Sequence, residues 1–223
     1  MINEKEIIEK NMIEFLKIWH NISQIKKFIN NFKKNSDTFG KKTSKFTKKN
    51  YIDSYKNTII ENGNYQLIFR DESVISFFYK FDNDNQIISY SLSYIPGICE
   101  EITIDEYDYN DVKELLESSY KDYIRIDLEE EGYKEILHTK NHLHYRVIEN
   151  DENTLRNNIR IPICQIMYPL DFIYIICKYI YHVEERDLKK LIKLIKKYNN
   201  QRRETLNDTE KTKLFMMFDQ DKK

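Results

Sequence analysis

The sequence predicts an α+β protein, with an antiparallel sheet of about five strands and with N-terminal and C-terminal helices packed on it. Two observations lead to this prediction. Apolar residues recur at helical spacing near both ends of the chain, whereas the central part shows the period of two that is typical of strands. Short polar turns separate the first three strand patterns, which is typical of an antiparallel meander.

The N-terminal part begins with a predicted helix over residues 4–20. Asn3 suits its N-cap, and Glu6, three positions later, completes a capping-box pattern. Residues 22–32 are expected to form a second helix. The stretch that follows is rich in Lys, Ser and Thr, which indicates a basic loop. We therefore treat residues 1–50 as an N-terminal helical and Lys-rich segment.

The central part, residues 51–185, is predicted to be the core α+β domain. Its helical patterns cover residues 51–62, 111–120 and 170–181. Its strand patterns cover residues 65–69, 74–81, 86–95, 123–128 and 143–148. The last helical pattern is apolar on all sides, and Pro169 suits its first turn, so we expect a buried helix there.

The C-terminal part, residues 186–223, is predicted to be an amphipathic helix followed by a polar tail. Apolar residues recur at helical spacing from 187 to 198, with lysines on the opposite face. Within the tail, residues 214–218 form an apolar patch that suits docking on the domain or on a partner.

Charge and composition narrow the class of protein. The formal net charge of −1 is unevenly distributed, because residues 26–49 contain nine lysines and one acid. Such a segment suits nucleic acid, although a solvated lysine-rich surface is the simpler explanation. Ala is absent and Gly is scarce, which indicates an AT-rich bacterial genome. The charged N-terminus and the lack of a ~20-residue apolar run predict a cytoplasmic protein without membrane contact.

The candidate site follows from the alternation of side chains along two predicted strands, 123–128 and 143–148. The apolar residues on each strand are expected to face the core. The polar residues that share the opposite face are Arg125, Asp127, His142, His144 and Arg146. If the two strands pair, these side chains form one patch, with His138 near its end.

Three chemistries suit such a patch, beside the alternative of a merely solvated face. In a metal-free attack on a phosphodiester, histidines transfer protons and an arginine stabilises the developing charge. In a metal centre, Asp127 and the three histidines are ligands of a divalent ion; we do not favour this cofactor. In simple anion or nucleic-acid binding, Arg125, Arg146 and the lysines contact phosphates.

Several segments, taken in their order along the chain, resemble a bacterial family known only as a domain of unknown function, number 2290. They are Tyr51–Asn62, Tyr65–Ile68, Ser76–Tyr79, Tyr94–Pro96, Ile124–Asp127, His138 with Asn141–His144, Arg160–Pro162 and Pro169–Ile173. The resemblance covers roughly residues 50–185. The family usually has a small residue at the place of Asn141 and does not fix His144, so the resemblance gives more weight to His138 and His142. It implies a domain boundary and a site location but no reaction.

We expect a nuclease-like effector of the toxin or phage-defence type, which would be a phosphodiesterase. His142 and His138 are the expected acid/base groups, Arg125 binds phosphate and Asp127 orients a histidine. The residues expected to bind nucleic acid are His144, Arg146, Arg160, Lys41 and Lys42. The alternative is a non-catalytic adaptor that binds nucleic acid, or a partner protein encoded nearby, through its basic helices and the patch at 214–218.

Overall fold

The computed structural model describes residues 3–33, 36–42, 55, 61–97, 123–135, 138–146, 160–199 and 202–214. It confirms the α+β class, with an open antiparallel sheet of eight strands in the described part of the chain. The strands are β1 (Ile25–Phe28), β2 (Thr38–Gly40), β3 (Leu67–Phe69), β4 (Val74–Phe81), β5 (Ile87–Ile95), β6 (Tyr123–Leu128), β7 (Asn141–Arg146) and β8 (Arg160–Pro162). The helices are α1 (Glu4–Leu16), α2 (Pro169–Ile175), α3 (Glu185–Tyr198) and α4 (Asp208–Leu214).

The predicted number of about five strands is too low, because the sheet also contains β1, β2 and β8, which were not predicted as strands. β1 lies where a helix over residues 22–32 was predicted, and that prediction is wrong. Ile25 and Phe28 are both buried, and their i, i+3 spacing imitates a helix turn. A β-bulge between Ile25 and Lys27 interrupts the pairing of β1 with β3 and lets both apolar side chains reach the core from a strand.

The helices at the two ends of the chain agree better with the prediction. Asn3 caps α1, since its side chain accepts a hydrogen bond from the Glu6 backbone N–H at 2.9 Å. Pro169 begins α2, which continues into one π-helical turn at Ile176–Ile180. α3 is amphipathic, as predicted. The predicted helices over residues 51–62 and 111–120, and most of the patch at 214–218, lie outside the described residues.

The strands follow the order β1-β3-β4-β5-β6-β7-β8. β2 is not part of this strand order. It pairs with the second half of β4, on the same edge of β4 whose first half pairs with β3. All these pairs are antiparallel, and the β3-β4-β5 meander is the one that the sequence predicts.

The two faces of the sheet differ in chemistry. One face carries large apolar side chains, and α1, α2 and α3 pack on it to form the core. Among the buried residues of this face are Ile75, Phe77, Tyr79, Tyr90, Leu92, Tyr94, Ile124 and Ile126. The ring of Phe77 lies 6.3 Å from that of Phe172 in α2, in an edge-on arrangement that joins the layers. No described helix is both long and apolar enough to cross a bilayer.

Buried polar contacts fix the helices on this apolar face. The Asn11 side chain in α1 donates to Asn199 at 2.8 Å and accepts from the Leu170 N–H at 3.2 Å. The carboxylate of Glu4, also in α1, accepts from the Ile87 N–H at 2.7 Å and from Arg203 at 3.3 Å. α1 is therefore joined to α2, to the end of α3 and to β5.

β2 and β3 share one edge of β4, and this arrangement depends on the Gln66 side chain and on Gly40. The Phe77 N–H donates to the Gln66 side-chain oxygen at 2.6 Å, at the point between the two short strands. Gly40 has φ +75°, and a Cβ there would lie 1.8 Å from the carbonyl oxygen of Phe77. Because this space is filled by backbone, β2 can approach β4 only with glycine at position 40.

We predict that Gly40→Ala destabilises the protein more than Gly63→Ala. Both glycines have positive φ, but a Cβ on Gly63 would meet nothing within 4 Å. Gly63→Ala should cost about 1–2 kcal/mol in the free energy of unfolding, from backbone strain alone. Gly40→Ala should cost about 1–3 kcal/mol more, because β2 must move away from Phe77. Equal urea midpoints for the two variants would contradict this packing.

Candidate functional site

The register of β6 and β7 brings the predicted polar residues onto one face. Asp127 lies opposite His142, and Arg125 lies opposite His144. The assumed adjacency of these two strands is therefore confirmed. Because side chains alternate, this face is the reverse of the aromatic core face that carries Ile126. Its central side chains are nevertheless buried: Asp127 is 2%, His142 0% and His144 5% exposed.

A continuous row of short contacts links four of these side chains. Arg125 Nε donates to Asp127 Oδ2 at 2.7 Å. The same carboxylate oxygen lies 3.2 Å from His144 Nε2. His144 Nε2 in turn lies 2.7 Å from His142 Nε2. Arginine, carboxylate and two imidazoles therefore form one hydrogen-bonded cluster across β6 and β7, which we call the His–Asp–Arg cluster.

The backbone partners of the histidines determine which ring nitrogens carry hydrogen. His142 Nδ1 lies 2.7 Å from the Thr139 carbonyl oxygen, and His138 Nδ1 lies 2.6 Å from that of Gly132. A carbonyl only accepts, so each Nδ1 is the N–H donor. In the neutral rings, Nε2 of His138 and of His142 therefore carries a lone pair. The proton between His142 and His144 then belongs to His144 Nε2.

The buried environment perturbs the pKa values of the cluster. Burial, together with the neighbouring His144, lowers the pKa of His142 to about 4. Burial also lowers the pKa of His144, although Asp127 opposes the shift. For Asp127, burial raises the pKa, but the hydrogen bond of His144 and the charge of Arg125 outweigh it, so the pKa lies below its usual value. At neutral pH these imidazoles are thus neutral beside an ionised carboxylate.

Two buried polar atoms of the site make no hydrogen bond with any described residue. They are Asp127 Oδ1 and His138 Nε2. The His138 ring is 4.7 Å from the His142 ring, centroid to centroid, so His138 extends the cluster at its end, as predicted. Two of the four such atoms among the described residues therefore belong to this site. Unpaired buried polar atoms are costly, and a functional role is one explanation for them.

The more exposed end of the cluster contains a further carboxylate and a lysine. Ligand atoms of Glu129, His138 and His142 lie within 4.8 Å of one another. Glu129 also lies 3.7 Å from Lys42 Nζ, and the Lys42 side chain is 62% exposed. The structure therefore brings Lys42, one of the predicted binding residues, towards the histidines.

The other predicted binding residues are less closely involved. Arg160 in β8 pairs with His144 in register and is exposed at the sheet edge. Lys41 is exposed beside Lys42, without a described contact to the cluster. Arg146 pairs with Tyr123 at the end of β7, and its side chain lies outside the described part.

Several polar residues of this face were not predicted from the sequence. Ser91 lies opposite Asp127, and Ser93 lies opposite Arg125. Both are buried, as is Ser76 in β4, which pairs with Ser93. The alternation of serines with Tyr and Leu in β5 was the signal that could have indicated them. Glu129 had no such signal, because it lies in the loop after β6.

A cleft of about 860 Å³ lies at the ends of β5 and β6 and shares Glu129 with the exposed end of the histidine cluster. Its lining includes Asp82, Glu129, Glu130, Glu204 and Glu210 beside Lys140 and Arg203. This acidic majority repels phosphate, and the lining contains no histidine. The cleft is therefore a poor binding site for nucleic acid.

Fold and site together define an α+β protein with a buried His–Asp–Arg cluster on the polar face of an antiparallel sheet. The chain belongs to the family described as "Uncharacterized conserved protein (DUF2290)", whose model matches residues 17–218. This confirms the resemblance and extends it beyond residues 50–185 at both ends. No curated protein and no solved structure matches the chain.

We predict that Asp127→Ala strongly destabilises the fold. The Arg125 side chain is only 11% exposed and would lose its carboxylate partner, which should cost about 3–5 kcal/mol in the free energy of unfolding. Glu130→Ala is the matched control, because it removes the equally short but exposed pair with Lys140 at 2.7 Å, worth about 0–1 kcal/mol. Urea unfolding measures both values, and similar losses would contradict the buried pairing.

Proposed function

We propose that this protein is a nuclease-like effector that hydrolyses phosphodiester bonds of nucleic acid at the His–Asp–Arg cluster. The observation that carries the proposal is the row Arg125–Asp127–His144–His142. It combines a fixed cation with neutral imidazoles whose protons can be transferred. Phosphodiester hydrolysis is assisted by groups that transfer protons and by cations that offset the negative charge on the phosphoryl oxygens.

In the proposed reaction, the oxygen of a water molecule attacks phosphorus and the bond from phosphorus to the leaving sugar oxygen breaks. A proton of the water passes to a histidine Nε2, and a proton returns to the leaving oxygen. His138 and His142 are suited to accept a proton, because their Nδ1–H donors leave Nε2 with a lone pair. Arg125 lies at the opposite end of the row from His138, so its guanidinium would act by keeping Asp127 ionised and thereby holding His144 in place.

Burial restricts how a polynucleotide can reach this site. His142 is fully buried, so the phosphate would contact the more exposed end near His138, where Lys42 offsets the charge of Glu129. Lys42 and Arg160 are exposed on either side of the cluster and would bind flanking phosphates. The lysine-rich segment 26–49, which contains Lys42, supports nucleic acid as the substrate.

We predict that the wild-type protein cleaves short RNA or DNA strands and that His138→Ala lowers the rate by about 10²–10⁴-fold, because a proton-transfer group is lost. Arg125→Gln should also lower the rate, because Asp127 would lose the cation that keeps it ionised beside His144. Denaturing gels of labelled oligonucleotides measure both rates, and induced expression should slow cell growth more for the wild type than for these two variants.

His20→Ala is the control for this experiment, because His20 is exposed and outside the cluster. It should cleave as fast as the wild type. Cleavage that is equal in wild type, His138→Ala and Arg125→Gln would show a contaminating nuclease and reject the assignment.

A second candidate function, a non-catalytic adaptor, is favoured by the outer surface of α3. Six basic residues of this helix are exposed: Arg186, Lys189, Lys190, Lys193, Lys196 and Lys197. Since α3 packs on the aromatic side of the sheet, this basic surface lies across the sheet from the His–Asp–Arg cluster. An acidic partner or a nucleic acid bound there would not contact the histidines.

The adaptor function predicts salt-dependent binding that depends on α3 and not on the histidines. Replacing Lys189, Lys193 and Lys196 by Glu should weaken oligonucleotide binding and reduce the salt slope by roughly 1 per lysine. Lys80→Glu, an exposed lysine on the polar face of β4, serves as the control. If His138→Ala with His142→Ala abolishes binding and the α3 variant retains it, the adaptor function is excluded.

A further inference from the structure

We propose that Asp127, His142 and His144 form a binding site for a single Zn²⁺ ion. The inference rests on the proposed function for its chemical role, but the binding itself can be tested separately. It follows from ligand geometry and from the hydrogen bonds that orient the rings.

The three residues already hold their ligand atoms close together. One carboxylate oxygen and one ring nitrogen from each histidine lie within 4.8 Å of one another. The distances are 3.2 Å from Asp127 Oδ2 to His144 Nε2 and 2.7 Å from there to His142 Nε2. Two ligands of a tetrahedral zinc ion lie about 3.3 Å apart at usual bond lengths. The distance between the two histidine nitrogens would have to widen by about 0.6 Å to reach this separation, whereas that from Asp127 to His144 already matches it.

The ring of His142 is oriented as a metal ligand usually is. Its Nδ1–H donates to the Thr139 carbonyl, which leaves Nε2 free to bind a cation. A hydrogen bond from the second ring nitrogen to a backbone carbonyl is the common outer support of a metal-bound histidine. For His144 to bind the ion through Nε2, the proton that Nε2 now shares with His142 would have to move to Nδ1 of the same ring. Asp127 Oδ1, buried and without a described hydrogen bond, adds a further acceptor.

The ligand set suits a transition-metal ion and excludes calcium and magnesium, which prefer oxygen ligands alone. Two imidazoles and one carboxylate bind zinc and also iron(II). Hydrolysis of a phosphodiester involves no redox change, which favours zinc for the proposed reaction. Three protein ligands leave a fourth position for water, which is typical of catalytic zinc sites. The Arg125 charge opposes the ion, while Glu129 supplies a second carboxylate near His142.

A bound ion changes the roles within the proposed reaction. His142 would be a ligand, and the ion would lower the pKa of the attacking water in its place. His138 is outside the three-residue set, and its Nε2 carries a lone pair that can take the water proton and return it to the leaving oxygen. The site would thus be a zinc-dependent phosphodiesterase centre.

The test begins with the zinc content of the purified full chain, followed by removal with EDTA and titration of the apo protein with ZnCl₂. We expect one ion per chain and a rise in melting temperature on addition of zinc. His144→Gln and Asp127→Asn should weaken zinc binding by more than the ~10–100-fold that loss of an outer-shell partner costs. His20→Ala and His138→Ala should bind zinc as the wild type does.

X-ray absorption at the zinc edge of the wild type gives a second measurement, which does not depend on whether the variants fold. Two imidazoles and a carboxylate around the ion would support the site. No zinc bound by the wild type, or a ligand set without two imidazoles, would overturn it. Cleavage that persists in EDTA would overturn zinc dependence and leave the nuclease proposal intact. Stoichiometric zinc without any cleavage would support the site and reject the nuclease.

Discussion

The carboxylate of Asp127 is the group on which the polar face of the sheet depends. It accepts from Arg125 and lies in contact with His144, so a buried negative charge meets a buried positive charge and an imidazole. Without it, the guanidinium would be desolvated and unpaired, and the histidine row would lose its anchor. Such an arrangement is expensive to build for stability alone, since apolar residues fill the same space at lower cost.

The aromatic face supplies the stability that a polar face of this kind requires. Phe77, Leu92 and Ile126 lie side by side on the strands and are covered by the helices, while the intervening residues of the same strands point to the cluster. The rigid core therefore fixes the spacing of β6 and β7, and with it the distances between Asp127, His142 and His144. Sites built on strands in this way are held more precisely than sites on loops.

The alternation of polar and apolar residues was enough to predict the α+β class and the shared face of Arg125, Asp127, His142 and His144. It was enough because, once two strands pair, a period of two determines which of their side chains share a face of the sheet. β1 was missed because its bulge gives a helical spacing of apolar residues. Glu129, and the carbonyls of Gly132 and Thr139, could not be predicted, since loop conformation decides where they point.

The division of one strand edge between β2 and β3 has a consequence for the order of folding. β3 joins β4 across the tight turn that follows Phe69, and such local pairing closes quickly. β2 pairs with β4 through Gly40 and Phe78, which lie far apart in the chain. This pairing therefore closes a long loop, at a greater entropic cost. We therefore expect Lys42, two residues beyond β2, to reach Glu129 after the meander has formed. The charge at the outer end of the histidine cluster would then be completed late, as the sheet edge closes.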